Sequence, residues 1–247
     1  MYASTAQPSF VASTKKLNLS TSELTNWAAW LAVAPYFDRP LPPGKSGFVV
    51  DREGLRLVAH GFKDQHWHPG MAHRRIKIGH DALTRVMGLT ENMTVLDCTL
   101  GMGHDALVMA NAGARIIALE REPGLLIYTM LGIHEWSAST GTSIAAQCCD
   151  FRTWLRDAAP SCIDHVYLDP MFPPSKIERR STTWAILRRI LVPNARLSVD
   201  ELDDALRVCR KSVVLKLGPG ELPQVFQSRP PDRIDGSKRV RFAQWFK

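Results

Sequence analysis

From Thr94 onward the chain alternates short β-branched runs with longer stretches of helical character, and this alternation limits its folding more than any other feature. Strands apolar on both sides and joined through helices pair in parallel and need helices over both faces of the sheet. The runs predict strands at 94–97, 115–120, 143–147, 165–169 and 212–217, with a last one near 240–246. Helices are expected at 104–112, 123–136 and 199–209. The expected fold is therefore α/β and Rossmann-like, a mostly parallel seven-stranded sheet over residues 71–247. Ahead of it, residues 1–70 read as an N-terminal arm and a small subdomain. They contain a helix at 22–36, a turn-rich break at Arg39-Pro-Leu-Pro-Pro-Gly-Lys, and a hairpin of Phe48-Val-Val with Leu55-Arg-Leu-Val turned at Glu53-Gly54.

At 247 residues with 45% hydrophobic content, the chain is long enough to bury a full core, which excludes a disordered protein. The net charge of +7 suits a polyanionic partner without requiring one. Five cysteines, without a CxxC pair or metal-ligand spacing, read as reduced thiols of a cytoplasmic protein. No window nears the roughly 18–20 apolar residues of a membrane span, and Lys15 and Lys16 are not followed by the apolar run of a secretory signal.

The segment Val95-Leu-Asp-Cys-Thr-Leu-Gly-Met-Gly-His-Asp-Ala106 carries the strongest local signal. A buried strand ends at Asp97, Gly101 and Gly103 allow a tight loop, and a helix begins near His104 with unpaired N–H groups. Dinucleotide enzymes share such glycines. Asp97 separates the cases, because a carboxylate there repels a pyrophosphate but attracts the cationic S-adenosylmethionine (SAM). Glu120, at the end of the next strand, suits two ribose hydroxyls. Asp150 and Phe151, after the third strand, can accept from an adenine amino group and stack on its ring.

Asp164-His-Val-Tyr-Leu-Asp169 runs into Pro170-Met-Phe-Pro-Pro174 at the edge where α/β sheets place ligands. The rigid turn can present the Asp169 carboxylate and the Pro170 carbonyl to one amino group, with Phe172 as a flat face for a base. The loop holds no cysteine nucleophile, as C5 methylation of a pyrimidine would need. Methylation of an exocyclic amine is the chemistry expected.

Asp-Pro-Met-Phe resembles the (Asp/Asn)-Pro-Pro-aromatic motif of amino-directed nucleic-acid methyltransferases, with Met171 in place of the second proline. More narrowly the chain resembles the RsmJ family of class I SAM-dependent 16S rRNA (guanine-N2)-methyltransferases. The likeness rests on Arg52-Glu-Gly-Leu-Arg-Leu, His73-Arg-Arg75, the Asp97–Ala106 loop, Glu120-Arg121, Val166-Tyr-Leu-Asp-Pro-Met-Phe-Pro173 and Val213-Val-Leu-Lys216. It implies cofactor contacts at His104, Asp105, Glu120, Arg121, Asp150, Phe151 and Asp169, and ribosomal RNA or the small subunit as partner. The departures are Ile76-Lys-Ile-Gly79 for a glycine-rich run, His104 for an arginine, and Ile177-Glu-Arg-Arg-Ser-Thr for Lys-Lys-Glu-Met. They lie mainly on the substrate side.

Lys176, Arg179 and Arg180, just beyond the catalytic loop, form a basic patch for RNA phosphates, with Arg188, Arg189 and Trp184 further on. His73, Arg74 and Arg75 are expected to wall the RNA groove. No metal site is expected, since nothing completes His66, His68 and His73 as ligands. The alternatives are an amino-methyltransferase for another RNA, DNA or a small molecule, and a non-catalytic RNA-binding protein that keeps the cofactor fold.

Overall fold

The computed structural model describes residues 9–12, 47–51, 54–140, 144–170, 182–191, 197–218, 223–237 and 240–247. The chain divides into two compact units, one of Met1–His68, Glu122–Gly132 and Pro174–Pro193, the other of Pro69–Arg121, Ile133–Pro173 and Asn194–Lys247.

The first unit holds a four-stranded sheet of β1 (Ser9–Ala12), β2 (Gly47–Asp51), β3 (Gly54–Val58) and β4 (Gln65–His66). The expected hairpin is β2–β3, with Phe48 opposite Leu57. Residues 9–12, expected to lie within an arm, instead pair in parallel with β2. Within this unit Phe48 and Leu57 are fully buried, and Phe48 packs on Tyr128 with ring centroids 5.4 Å apart. The helix expected at 22–36 lies outside the described residues.

The second unit is built on a seven-stranded sheet. Its strands are β5 (Thr94–Asp97), β6 (Arg115–Glu120), β7 (Ile144–Cys148), β8 (Ile163–Leu168), β9 (Cys209–Leu217), β10 (Arg233–Gly236) and β11 (Arg241–Phe246). Their spatial order is β10-β11-β9-β8-β5-β6-β7, parallel from β9 to β7, with β11 antiparallel to β9 and β10 antiparallel to β11. Its helices are α1 (Gly70–Ile78), α2 (Ala82–Met87), α3 (His104–Asn111), the C-terminal part of α4 (Pro123–Thr140), α5 (Phe151–Asp157), α7 (Val199–Val208) and α8 (Val225–Ser228); α6 (Thr182–Ile190) belongs to the first unit. This is the Rossmann-like architecture expected. The strand predicted at 165–169 begins earlier and stops at Leu168, so Asp169 stands just past it.

Alternate residues of the central strands bury their side chains on the two faces, and the core joins Leu96, Leu119, Val166, Leu168, Val213 and Leu215 to α5 and α7 through Leu155, Leu202 and Ala205. Ser198 starts α7 through a capping box with Glu201, two orphan helix-end donors being satisfied reciprocally. From β5 the chain winds outward through β6 and β7, then returns to place β8 on the other side of β5. That reversal opens a crevice at the carboxyl ends of β5 and β8, where open α/β sheets take their ligands.

Candidate active site

Two of the carboxylates that the sequence singles out, Asp97 and Asp169, flank this reversal. Asp97 ends β5 at only 1% exposure, and its Oδ1 accepts the Thr99 N–H at 3.0 Å. The loop beyond it turns on Gly101 and Gly103, whose φ values of 52° and 73° lie in the left-handed region that disfavours a side chain. Gly103 then caps α3. The loop is tied to its neighbours by Cys98 N–H to the Tyr167 carbonyl and Leu100 N–H to the Leu119 carbonyl, both at 2.9 Å. Glu120, closing β6, accepts the Gly101 N–H through Oε2 at 3.1 Å. The adjacent strand end follows, since Cys149 N–H reaches the Glu120 carbonyl at 3.1 Å and so brings Asp150 alongside.

Two bonds help to fix Asp169. Its N–H donates to Thr99 Oγ1 at 2.7 Å, and its Oδ2 receives Lys216 Nζ at 2.7 Å. Lys216 Nζ also donates to Asp105 Oδ2 at 2.8 Å, as does the Tyr167 hydroxyl at 2.7 Å. Arg75 binds Asp105 Oδ1 and donates to both oxygens of Asp81, at 2.7 and 3.0 Å.

The electrostatics follow from this crowding. Burial pushes the Asp97 carboxyl up to about 8; the Thr99 N–H opposes the rise, while Asp105, Asp169 and Glu120 add to it. Burial disfavours the charged form of Asp105 as well, but Lys216 and Arg75 outweigh it and hold that carboxyl far below the usual range. Lys216 behaves in the mirror sense: burial lowers it, and Asp105 with Asp169 hold the ammonium above its ordinary value. Asp97, Asp105, Glu120 and Asp169 thus share one crevice with Lys216 and Arg75. Such a site prefers a cationic ligand, and the glycine turn lets backbone approach it closely. The donor set fits SAM.

The structure brings Asp97, Gly101, Gly103, His104, Asp105, Glu120 and Asp169 to the carboxyl ends of the parallel strands, with Pro170 next to Asp169 and Arg121 next to Glu120. Two residues depart from expectation. Phe151 is a core residue, 6% exposed, with the Arg152 guanidinium 4.7 Å over its ring; it gives the sheet apolar area and is not an open stacking face. Its neighbour Asp150 caps α5 by accepting the Arg152 N–H at 2.9 Å. Asp105 accepts from Arg75, Lys216 and Tyr167, bonds that the sequence did not show. Arg75 points inward to Asp81 and Asp105, whereas His73 and Arg74 are exposed on α1. Phe172, Lys176, Arg179 and Arg180 lie outside the described residues. The sequence pattern gave no role to Lys216, Thr99 or Tyr167, although all three lie within the motifs that carry the family likeness. Among the described residues no group of three or more His, Cys, Asp or Glu is placed to hold a metal ion, and no helix is long and apolar enough to cross a membrane.

Comparison with known proteins shows the family and the fold. Residues 50–246 match the family model described as "Putative SAM-dependent methyltransferase". The chain is 30% identical over 182 residues to ribosomal RNA small subunit methyltransferase J of Thioalkalivibrio sulfidiphilus, covering 70% of each chain. It is also 30% identical over 182 residues to the protein YpiP of Bacillus subtilis, covering 68% of this chain and 69% of that one. The crystal structure of a SAM-dependent methyltransferase from Neisseria gonorrhoeae superposes with a TM-score of 0.68 at 19% identity, covering 96% of both chains, which speaks for the fold.

Proposed function

The chain belongs to the SAM-dependent methyltransferases, in the family of the ribosomal RNA small subunit methyltransferases J, and on that footing we propose that it methylates the exocyclic N2 amino group of a guanine in small-subunit rRNA. The observation that carries the reading is the placement of Asp97 and Asp169 on either side of the strand-order reversal, joined through Thr99.

SAM, when bound, supplies an electrophilic methyl group on a positively charged sulfur. Asp97 and Glu120 are the cofactor carboxylates, one for the cationic end and one for the ribose hydroxyls, with Gly101, Gly103, His104, Arg121 and Asp150 around them. The N2 lone pair of guanine is delocalised into the ring and is a poor nucleophile. The Asp169 carboxylate and the Pro170 carbonyl accept its two N–H bonds, which localises the lone pair on nitrogen, out of conjugation with the ring, and aims it. SAM would give up the methyl group without its bonding electron pair, so N2 would gain a bond to carbon and have a proton to lose. The N2 proton then leaves to Asp169 or to water. Phe172 stacks the base. His73 and Arg74 on α1, together with Lys176, Arg179 and Arg180, contact phosphates and set the register of the RNA without reading its sequence. Such a substrate places the enzyme in the cytoplasm.

The test is mass spectrometry of nucleosides from small-subunit rRNA, with and without the gene. Loss of N2-methylguanosine is expected, restored by the wild-type gene and not by Asp169→Ala. An unchanged nucleoside profile, or loss of a different methylated nucleoside, would refute the guanine-N2 assignment.

A further inference from the structure

Five charged side chains form a continuous strut of alternating sign across the second unit. Asp81, at the N-cap of α2, binds Arg75 of α1; Arg75 binds Asp105 in the first turn of α3; Asp105 binds Lys216 of β9; and Lys216 binds Asp169 at the end of β8. Four secondary-structure elements thus converge on one side chain beside the predicted reaction centre.

The placement of Lys216 is costly. It lies between the buried Leu215 and Leu217 near the end of a central strand, and burial disfavours its charge. Packing alone would be served as well by an apolar residue, because a buried ion pair is on average no more stabilising than one. The lysine also does not simply neutralise Asp105, which Arg75 already engages. What Lys216 adds is a link from that braced carboxylate to Asp169. The bond from the Asp169 backbone N–H to Thr99 Oγ1 fixes the elbow but does not by itself set the side-chain torsions. With Nζ at 2.7 Å from Oδ2 the carboxylate has a set direction and an ammonium that favours its ionised, acceptor form.

We propose that Lys216 is a positioning residue for methyl transfer, acting through Asp169 by tying its carboxylate to the Asp105–Arg75–Asp81 brace, a role that rests on the reading above. The bonds of the lysine ammonium run to Asp105 and Asp169. Its loss leaves the cofactor carboxylates Asp97 and Glu120 in place but lets the acceptor of the amino group swing and take up a proton more easily.

The experiment compares Lys216→Met, Lys216→Gln and Lys216→Arg with wild type by SAM calorimetry, melting temperature, and kcat and KM against pH on small-subunit rRNA. In Lys216→Met, kcat is expected to fall by about 100-fold, the loss typical of a misplaced reacting group, while KM for RNA and Kd for SAM change less than about fivefold. The acid limb of its kcat–pH profile moves to higher pH, and Lys216→Arg recovers about tenfold. Lys216→Gln keeps a polar group between the two carboxylates if the methionine variant does not fold, and it must show the same shift in the acid limb. Wild-type kcat in a neutral variant overturns the proposal. So does a kcat loss that tracks lost SAM binding and melting temperature with the acid limb unmoved, since the lysine would then be a fold element only. A wild-type protein inactive on rRNA fails differently, taking down the guanine reading and the role of Lys216 with it.

Discussion

Thr99 accepts the Asp169 N–H through Oγ1 at 2.7 Å, so the loop after β5 and the elbow after β8 are joined directly across the sheet's reversal point. The Thr99 N–H in turn serves Asp97 at 3.0 Å, which makes this residue a side-chain link between cofactor side and amine side, beside the backbone pairing of β5 with β8. Thr99→Val keeps the shape and strands the Asp169 N–H. An unsatisfied donor costs about 1–3 kcal/mol when fully buried and less for this part-buried one, at roughly 2–4 °C of melting temperature per kcal/mol in a chain of this size. Methyl transfer should fall more than SAM binding does, and Thr99→Ser should recover both. A valine variant as active as wild type would show the link to be irrelevant.

Asp97 predicts a pH dependence. Folding lifts its carboxyl from an ordinary 3.8 to about 8, so the free folded protein prefers it protonated. Above the ordinary carboxylate range the unfolded chain gives up this proton and the folded chain does not. The penalty on folding therefore grows from about pH 4 to about pH 8 and then levels off. Asp97→Asn removes it, and the stability gain of the variant over wild type should increase between pH 5 and pH 8.

The same carboxyl must ionise to serve a cation. SAM binding to wild type should release up to one proton near neutral pH and tighten, by at most about tenfold per pH unit, as pH rises toward 8. Calorimetry in two buffers of different ionisation enthalpy reads this directly. Identical heats in both buffers, or an asparagine variant that binds SAM as wild type does, would remove Asp97 from the cofactor site.

Glu120→Gln tests the ribose contact while sparing the loop, because the amide oxygen can still accept the Gly101 N–H. One of two acceptors is exchanged for a donor, so SAM affinity should drop by about 5- to 30-fold, equivalent to about 1–2 kcal/mol. The melting temperature of the free protein should hold. Unaltered affinity would reassign Glu120 to loop support alone.

How much of this was legible in the chain varies with the range over which the signal acts. The strands at 94–97 and 115–120 were read to the residue, because a buried parallel strand is a continuous apolar run and each ends on an acid. The reversal that brings Asp97 near Asp169 was not legible in the same way, because right-handed crossovers set which face each helix covers and not whether β8 inserts beside β5 or beyond β7. Helix α1 was not foreseen: Met71 and Ile78 are each 61% exposed, so its apolar residues do not mark a buried stripe. Phe151 was misread because an aromatic after an acid at a strand end looks the same whether it lines a pocket or starts a helix that packs inward. The strut was invisible for a different reason. Its bonds join residues 30 and 111 positions apart, and no local pattern distinguishes Arg75 from Arg74, or shows which carboxylate Lys216 will meet.

Arg74 and Arg75 turn that last point into an experiment, since neighbouring residues of the same type should fail in opposite ways. Arg74 is exposed on α1 beside His73 and Lys77, on a helix without an acidic residue. Arg74→Ala should leave melting temperature and SAM affinity unchanged. It should weaken RNA binding and reduce the salt slope of log K by roughly 0.7–0.9, the share of one phosphate contact. Arg75→Ala removes the cation between Asp81 and Asp105 and leaves two partly buried carboxylates to repel each other. Breaking such a pair costs about 3–5 kcal/mol when fully buried, and about 2–3 kcal/mol is expected here because Arg75 keeps 21% of its side chain exposed. The melting temperature should fall, methyl transfer should decline through the loosened brace on Asp169, and the salt slope should stay where it was. If Arg75→Ala instead weakened RNA binding with an unchanged melting temperature, the arginine would be turned outward in solution, and the brace on Asp105 would have lost its second cation.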